Sequence, residues 1–359
     1  MTATLLQEAR RQLDVCNACR YCEGYCAVFP ALERRSILLE GGVAQLANLC
    51  HDCRACAQAC MYAPPHEFAV DVPALLRRAR LESYERFARP RRLGRAFRHP
   101  GLAVAGATAI GVAFALGAAL ATGGLLGTHT GPGAFYAVVP SVLMLVPALV
   151  LSAFAAAVLL AGAAGLWRAG GGTARQLLDG RRWLVAGREA LTLRWLGGGG
   201  GGCYHPDPGR PSGARRALHG AVAGGLLLAF AATVVAAVLQ DVLDRLPPYP
   251  VLSAPVLLGA AGGVATIAGC TGLLALGRGT ASAASRALDV AFLAALDATA
   301  VTGMLTLALR STPALGAALT LHLGALAGLY LTAPYGKLVH AAYRFAALLR
   351  DAGERTAGE

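Results

Sequence analysis

Charge is scarce in this chain. Of its 359 residues only 14% are Asp, Glu, Lys or Arg, while 56% are hydrophobic; a soluble domain usually carries about 25% charge. A wholly soluble protein is therefore excluded. Met1 to Val15 has no apolar core of adequate length, so no cleavable secretion signal is expected and the residues that follow are expected to stay in a reducing cytoplasm. No G-x-G-x-x-G opens a helix after a strand, so no flavin site is expected within the chain. The formal net charge of +12 comes from arginines that flank apolar segments instead of lining one soluble face, which reads as membrane topology and not nucleic-acid binding.

Cysteine, by contrast, is concentrated. Eight of the ten cysteines lie between Cys16 and Cys60, as Cys16, Cys19, Cys22 and Cys26 and then Cys50, Cys53, Cys56 and Cys60. The run C-x2-C-x2-C-x3-C thus occurs twice. Three sulfurs of such a run converge on one inorganic cube, and in two-cluster ferredoxins the fourth ligates the other cluster. The expected sets are Cys16, Cys19, Cys22 and Cys60 for one [4Fe-4S] cluster, and Cys50, Cys53, Cys56 and Cys26 for a second. Structural zinc is the competing reading, but it usually takes two separated C-x2-C pairs or mixed Cys/His sets. Disulfides suit small secreted domains. The Pro that follows the fourth Cys of bacterial ferredoxins is replaced by Ala27 and Met61. Between the runs, residues 31 to 49 read as helix, which predicts a helical ferredoxin-like domain.

The coarse organisation follows from hydropathy. Residues 1–70 form the expected two-cluster domain, and 71–100 an Arg-rich helical connector whose charges are solvated or lie on anionic headgroups. Residues 101–350 hold the membrane domain, and 351–359 a short tail. Thr4 and Gln7 have capping-box spacing at the start of a first helix. Six segments are long enough to span about 30 Å of hydrocarbon: roughly 101–122, 134–160, 217–239, 251–276, 288–309 and 314–333. The loop 161–216 is rich in Arg, 123–133 has no Lys or Arg, Arg278 and Arg286 follow the fourth span, and Lys337, Arg344 and Arg350 follow the sixth. This distribution predicts both termini in the cytoplasm. The expected fold is all-α, a helical ferredoxin-like domain on a six-helix bundle. Gly197 to Gly202 reads as a low-complexity linker, Cys203 as a loop thiol or ligand, Cys270 as a packing residue, and His66 as a loop His or a group near a cluster.

Histidines mark the membrane domain. His322 and His340 are 18 residues apart, five turns of one continuous helix, so both imidazoles are expected on one face about 27 Å apart. His219 opens the third span at the depth of His340, and the pair is expected to hold one b-type haem on the side of the clusters. The plainer alternative is that both are interfacial. His322 is either a further haem ligand or a helix–helix hydrogen-bonding group, and at the depth-matched position on the third span stands Gln240. Arg215, Arg216, Lys337 and Arg344 are candidates for haem propionates, or are simply interfacial cations. Asp297, beside Thr299, Thr302 and Thr306, either relays protons to a quinone or is held neutral by those threonines.

The stretches Cys16-Asn17-Ala18-Cys19-Arg20-Tyr21-Cys22-Glu23-Gly24-Tyr25-Cys26, Leu49-Cys50-His51-Asp52-Cys53-Arg54-Ala55-Cys56, Ala63-Pro64-Pro65-His66-Glu67-Phe68 and Pro334-Tyr335-Gly336-Lys337 resemble the tricarballylate-utilisation protein B family, also called citrate-utilisation protein B. The resemblance covers nearly the whole chain. It implies a protein of the bacterial inner membrane with two [4Fe-4S] clusters and b-type haem. Such a protein reoxidises the FAD of a soluble tricarballylate dehydrogenase, which makes cis-aconitate, and passes the electrons to the quinone pool. The membrane domain also resembles the haem-binding subunit of respiratory nitrate reductase, with two His at 18-residue spacing. Relatives carry further His beside the position of His219 and near that of Gln240; here Gly220 and Gln240 stand there, so a second haem at His322 stays open.

Two other classes are weighed against this electron carrier. A membrane iron–sulfur redox sensor needs an output domain, where only residues 351–359 are expected beyond the last helical stretch. A tricarboxylate transporter needs cationic groups at midplane, and the six spans carry none.

Overall fold

The computed structural model describes residues 1–207, 209–277 and 282–356; Arg278 and residues 357–359 of the expected tail lie outside them. Among the described residues the chain is helical, with no strand. The first helices are α1 (Ala3–Cys19), α2 (Val28–Glu33), α3 (Glu40–Leu49), α4 (Ala55–Gln58) and α5 (Val72–Phe87). Thr2, not Thr4, caps α1, its hydroxyl accepting from the Leu5 amide. The helix expected over residues 31–49 is two helices, because Ser36–Leu39 turns the chain between α2 and α3.

Leu5, Ala9 and Leu13, each one turn from the next on α1, meet Leu46 and Ala47 of α3 and Leu75, Leu76 and Ala79 of α5 in one buried cluster. The apolar stripe of α5 recurs every three or four residues, and this periodicity buries the helix. Residues 71–87 therefore close the core of the cysteine domain, where a solvated connector is expected. Only the following α6 (Arg91–Ala96) is without a buried residue.

The long apolar helices follow: α7 (Pro100–Ala121), then the short α8 (Ala134–Val138), α9 (Ser141–Ala169), the amphipathic α10 (Gly180–Leu191), α11 (Ala214–Asp241), α12 (Ala254–Leu276), α13 (Ala283–Ala308) and α14 (Leu315–Thr332). Six of these, α7, α9, α11, α12, α13 and α14, are long and apolar enough to cross a membrane. The second runs from Ser141 because Pro140 separates it from α8. Small residues set their packing, as expected where lipid gives no hydrophobic drive between helices. A Cβ at Gly262 would come within 2.7 Å of the Gly225 carbonyl, which fixes the close approach of α12 to α11, and a Cβ at Gly111 would come within 2.7 Å of the Gly324 carbonyl, which does the same for α7 and α14.

After α14 the chain breaks. Pro334 and Gly336 fall in the turn, the Tyr335 hydroxyl donates to the Arg89 carbonyl at 2.8 Å, and a separate helix, α15 (Val339–Thr356), follows. Proline lacks the amide a continuing helix needs. His322 and His340 are consequently on two different helices, and the expectation of one continuous helix presenting both on one face is overturned. α15 is part of the cysteine domain's core: Ala347, Leu348 and Leu349 join the cluster of α1, α3 and α5. Asp351, 1% exposed, pairs with Arg34 and Arg355, so residues 351–356, expected as tail, are the packed end of α15.

Candidate functional site

The two cysteine runs are loops wound around helix ends. α1 ends at Cys19, where Arg20 takes a left-handed conformation (φ 56°), and Asp52 and Arg54 do the same in the second run (φ 54° and 63°). Such backbone is uncommon outside glycine and clusters at functional sites. Here it turns successive sulfurs inward. Cys16, Cys19 and Cys22 line a pocket together with Cys60, Val15, Phe29 and Tyr62. Burial pushes the Cys16 thiol up to about 12 and Cys22 up to about 11, with Cys60 and Cys19 among the neighbours that add to each shift. Cys26 is pushed up by burial and then by Cys50 and Cys53, and Cys56 by burial and then by Cys50, Cys26 and Cys53. The grouping is that expected from the spacing, with the fourth cysteine of each run exchanged. Among the described residues no three His, Cys, Asp or Glu side chains converge closely enough for one metal ion.

The second set is the more strongly held. The Asp52 amide donates to Cys50 Sγ at 3.3 Å, the Val28 and Phe29 amides to Cys26 and the Ala55 amide to Cys53. The Gly197–Gly202 run is packed structure and not a free linker: a Cβ at Gly200 would come within 2.6 Å of the Tyr25 ring. Past it, Cys203 is 2% exposed and the Tyr204 amide donates to the Cys53 carbonyl at 2.8 Å. His66 stacks with Tyr62 and Phe68 and accepts from the Phe68 amide at 3.1 Å, a structural role.

Arginines surround the loop Cys50–Asp52. Arg80 and Arg344 each donate to the Cys50 carbonyl at 2.9 Å, and Arg215 donates to the His51 and Asp52 carbonyls, both at 3.0 Å. Burial pushes the Arg344 guanidinium down to about 10, so it is still cationic at neutral pH. Arg77 binds the Asp52 carboxylate through two bonds of 2.9 and 3.0 Å. Burial raises the Asp52 pKa, but the Arg77 bonds and charge outweigh it and hold the carboxyl below its ordinary value. A depressed carboxylate stabilises the fold above its unfolded pKa and loses that contribution as pH falls through its folded one. Arg77→Gln is therefore expected to lower stability by about 2–3 kcal/mol at pH 7, a difference that closes below about pH 4. Denaturant unfolding of the whole chain between pH 3 and 8 checks it.

Next to this loop lie His219, in the first turns of α11, and His340, at the start of α15. Their ring centres are 6.0 Å apart and their planes cross at 83°. His340 Nδ1 meets the Lys337 carbonyl at 2.6 Å, which turns Nε2 outward as the free nitrogen. Burial, then the Arg344 and Lys337 charges, hold the His340 pKa well below its ordinary value, giving the neutral imidazole that ligates metals. His219 Nδ1 is buried without a hydrogen-bond partner. His219 and His340 would be the residues to hold a metal group here.

The other expected residues are placed differently. His322 Nδ1 lies 3.2 Å from the Thr302 hydroxyl of α13, a helix–helix hydrogen bond. Asp297 faces Thr271 and Cys270 of α12, while Thr299, Thr302 and Thr306 bond to their own helix; the threonines do not hold the carboxyl. Gln240 is bonded to the Tyr136 hydroxyl. Of the propionate candidates, Lys337 pairs with Asp289 at 2.6 Å and Arg216 donates to the Thr192 carbonyl at 2.7 Å, while Arg215 and Arg344 serve the Cys50–Asp52 loop. Arg77 and Arg80 were not among the expected site residues. Arg80 stands in the buried stripe of α5, four residues from Leu76 and from Tyr84, and a cation inside an apolar stripe is the signal that could have found it.

Fold and site together define a multi-pass membrane protein with an iron–sulfur domain of the ferredoxin-like type at its N-terminus. The comparisons give the family. A model described as the Citrate utilization protein B Fer4-like domain matches residues 9–86, and one described as Citrate utilization protein B matches residues 95–359. The chain is 39% identical over 357 residues to Citrate utilization protein B of Escherichia coli, covering 98% of this chain and 93% of that one. The chain belongs to the citrate utilization protein B family. No solved structure matches it.

Proposed function

We propose that this protein takes electrons from the reduced FAD of a soluble dehydrogenase of the tricarballylate type and delivers them to membrane quinone. Cys16, Cys19, Cys22 and Cys60 hold one [4Fe-4S] cluster, Cys26, Cys50, Cys53 and Cys56 a second, and His219 with His340 one b-type haem. When bound, these groups supply one-electron transfer, and the chain supplies their positions and potentials. The observation that supports this reading is the order of the donor sets. The first faces solvent, with Tyr21 and Met61 exposed beside it. In the second set Cys50 is buried and Cys26, Cys53 and Cys56 are half-buried, and Arg344, on the helix that carries His340, donates to the Cys50 carbonyl. A flavoprotein therefore meets the first set, and the histidine pair lies where α11 enters the membrane. The arginine distribution supports a cytoplasmic iron–sulfur domain.

The test is the reduced-minus-oxidised spectrum of the purified protein in detergent, with iron and haem quantified per chain. About eight irons in clusters and one b-type haem, both reduced by a reduced FAD dehydrogenase and reoxidised by quinone, are expected. Intact clusters without haem would overturn the transmembrane route.

A further inference from the structure

Arg80, Arg215 and Arg344 come from α5, α11 and α15, and all three end on the three-residue loop Cys50–Asp52. Their four hydrogen bonds there, of 2.9 to 3.0 Å, go to backbone carbonyls. The one carboxylate on the loop, Asp52, is engaged by Arg77. Three guanidinium charges thus stand together, without a carboxylate partner among the described residues. Arg80 is buried and Arg215 and Arg344 are half-buried; carbonyl dipoles do not neutralise cations withdrawn from water, and the Asp52 carboxylate that Arg80 and Arg215 also feel is already bound by Arg77, so further negative charge beside them is favoured.

The chain itself identifies that anion. Four thiolates around iron and sulfide leave a net negative charge, which grows by one on reduction, and Cys50 and Cys53 are ligands of the second set. The first set differs: Arg20, inside its run, is 57% exposed at the side chain and paired with Glu33 at 2.6 Å. Cations and amide donors beside a cluster raise its potential by favouring the reduced form, and burial makes each charge count for more.

We propose that Arg80, Arg215 and Arg344 are the counter-charge of the second cluster, setting its potential above that of the first so that an electron arriving at the solvent-facing cluster is drawn inward. Arg215 and Arg344 are thereby assigned to the cluster and not to haem propionates. The inference rests on the two-cluster reading given above.

The experiment is a redox titration of the full chain in detergent followed by electron paramagnetic resonance, with Cys26→Ser used to tell the two signals apart. In the unsubstituted protein the second cluster is expected to titrate at the higher potential. Arg344→Gln is expected to shift the electron distribution between the clusters by about tenfold toward the first, 59 mV for a one-electron couple, with the first cluster's midpoint unchanged. Arg344→Lys, which keeps the charge, is expected to retain most of the potential. Arg215→Gln, on another helix, is expected to shift it in the same direction and supplies the test where Arg344→Gln fails to assemble. Unchanged midpoints in both Gln variants, or a loss in the Lys variant equal to that in the Gln variant, would overturn the proposal while leaving the electron-transfer reading in place. Fewer than two cluster signals in the unsubstituted protein would bring down that reading as well.

Discussion

Cys26→Ser is expected to destroy the cluster built on the second cysteine run and spare the one built on the run in which Cys26 lies. Its sulfur is grouped with Cys50, Cys53 and Cys56, and it accepts from the Val28 and Phe29 amides at the start of α2. Cys60→Ser is expected to do the reverse, because Cys60 returns after α4 to the pocket of Cys16, Cys19 and Cys22. In each variant iron falls from about eight to about four per chain, and quinone reduction falls more than about 100-fold, since losing a ligand costs at least as much as losing the groups that support one. Paramagnetic resonance of the reduced variants identifies the surviving cluster. Survival of the second cluster in Cys26→Ser would refute the exchange of ligands. Metal held within each run without exchange predicts the reverse, each variant losing the site of its own run, and the iron content of the unsubstituted protein separates clusters from zinc.

The second large effect concerns the histidines. His340→Ala and His219→Ala are each expected to reduce haem from about one to about zero per chain, because each supplies one of the two imidazoles of the proposed site. Cluster iron is expected to stay, since neither imidazole is among the proposed cluster ligands. His322→Ala is expected to keep the haem. Its ring is bonded to Thr302 on α13, and its removal costs that hydrogen bond, about 1 kcal/mol in a membrane. Pyridine haemochrome assay and cluster absorbance of the three variants decide the matter. Haem lost in His322→Ala and retained in His219→Ala would move the site to the opposite side of the bilayer and disconnect it from the clusters.

These expectations have different origins in the chain. The two cysteine runs were legible from their spacing, and the structure sets Cys60 beside Cys16, Cys19 and Cys22 in one pocket; that each set holds a cluster is the proposal made above. The six spans were legible because twenty or so apolar residues have one stable environment. The pairing of His219 with His340 was legible by depth alone. Its companion argument, one continuous helix from His322 to His340, failed at Pro334 and Gly336, whose helix-ending chemistry stands openly in the sequence.

Sequence by itself determined what is periodic or covalently close: the thiol spacing, the helices, the number of apolar spans and the scarcity of charge that puts the chain in a membrane. Only tertiary structure decided what joins across long separations. It made α5 and α15 core elements of the iron–sulfur domain, and it turned Gly197–Gly202 from a linker into a surface laid on Tyr25. It also brought Arg80, Arg215 and Arg344, up to 264 residues apart, onto one loop. The physical reason is that a cation's role depends on the field at the point where its side chain ends. An arginine on a membrane flank and an arginine beside a buried cluster are the same residue until packing places them.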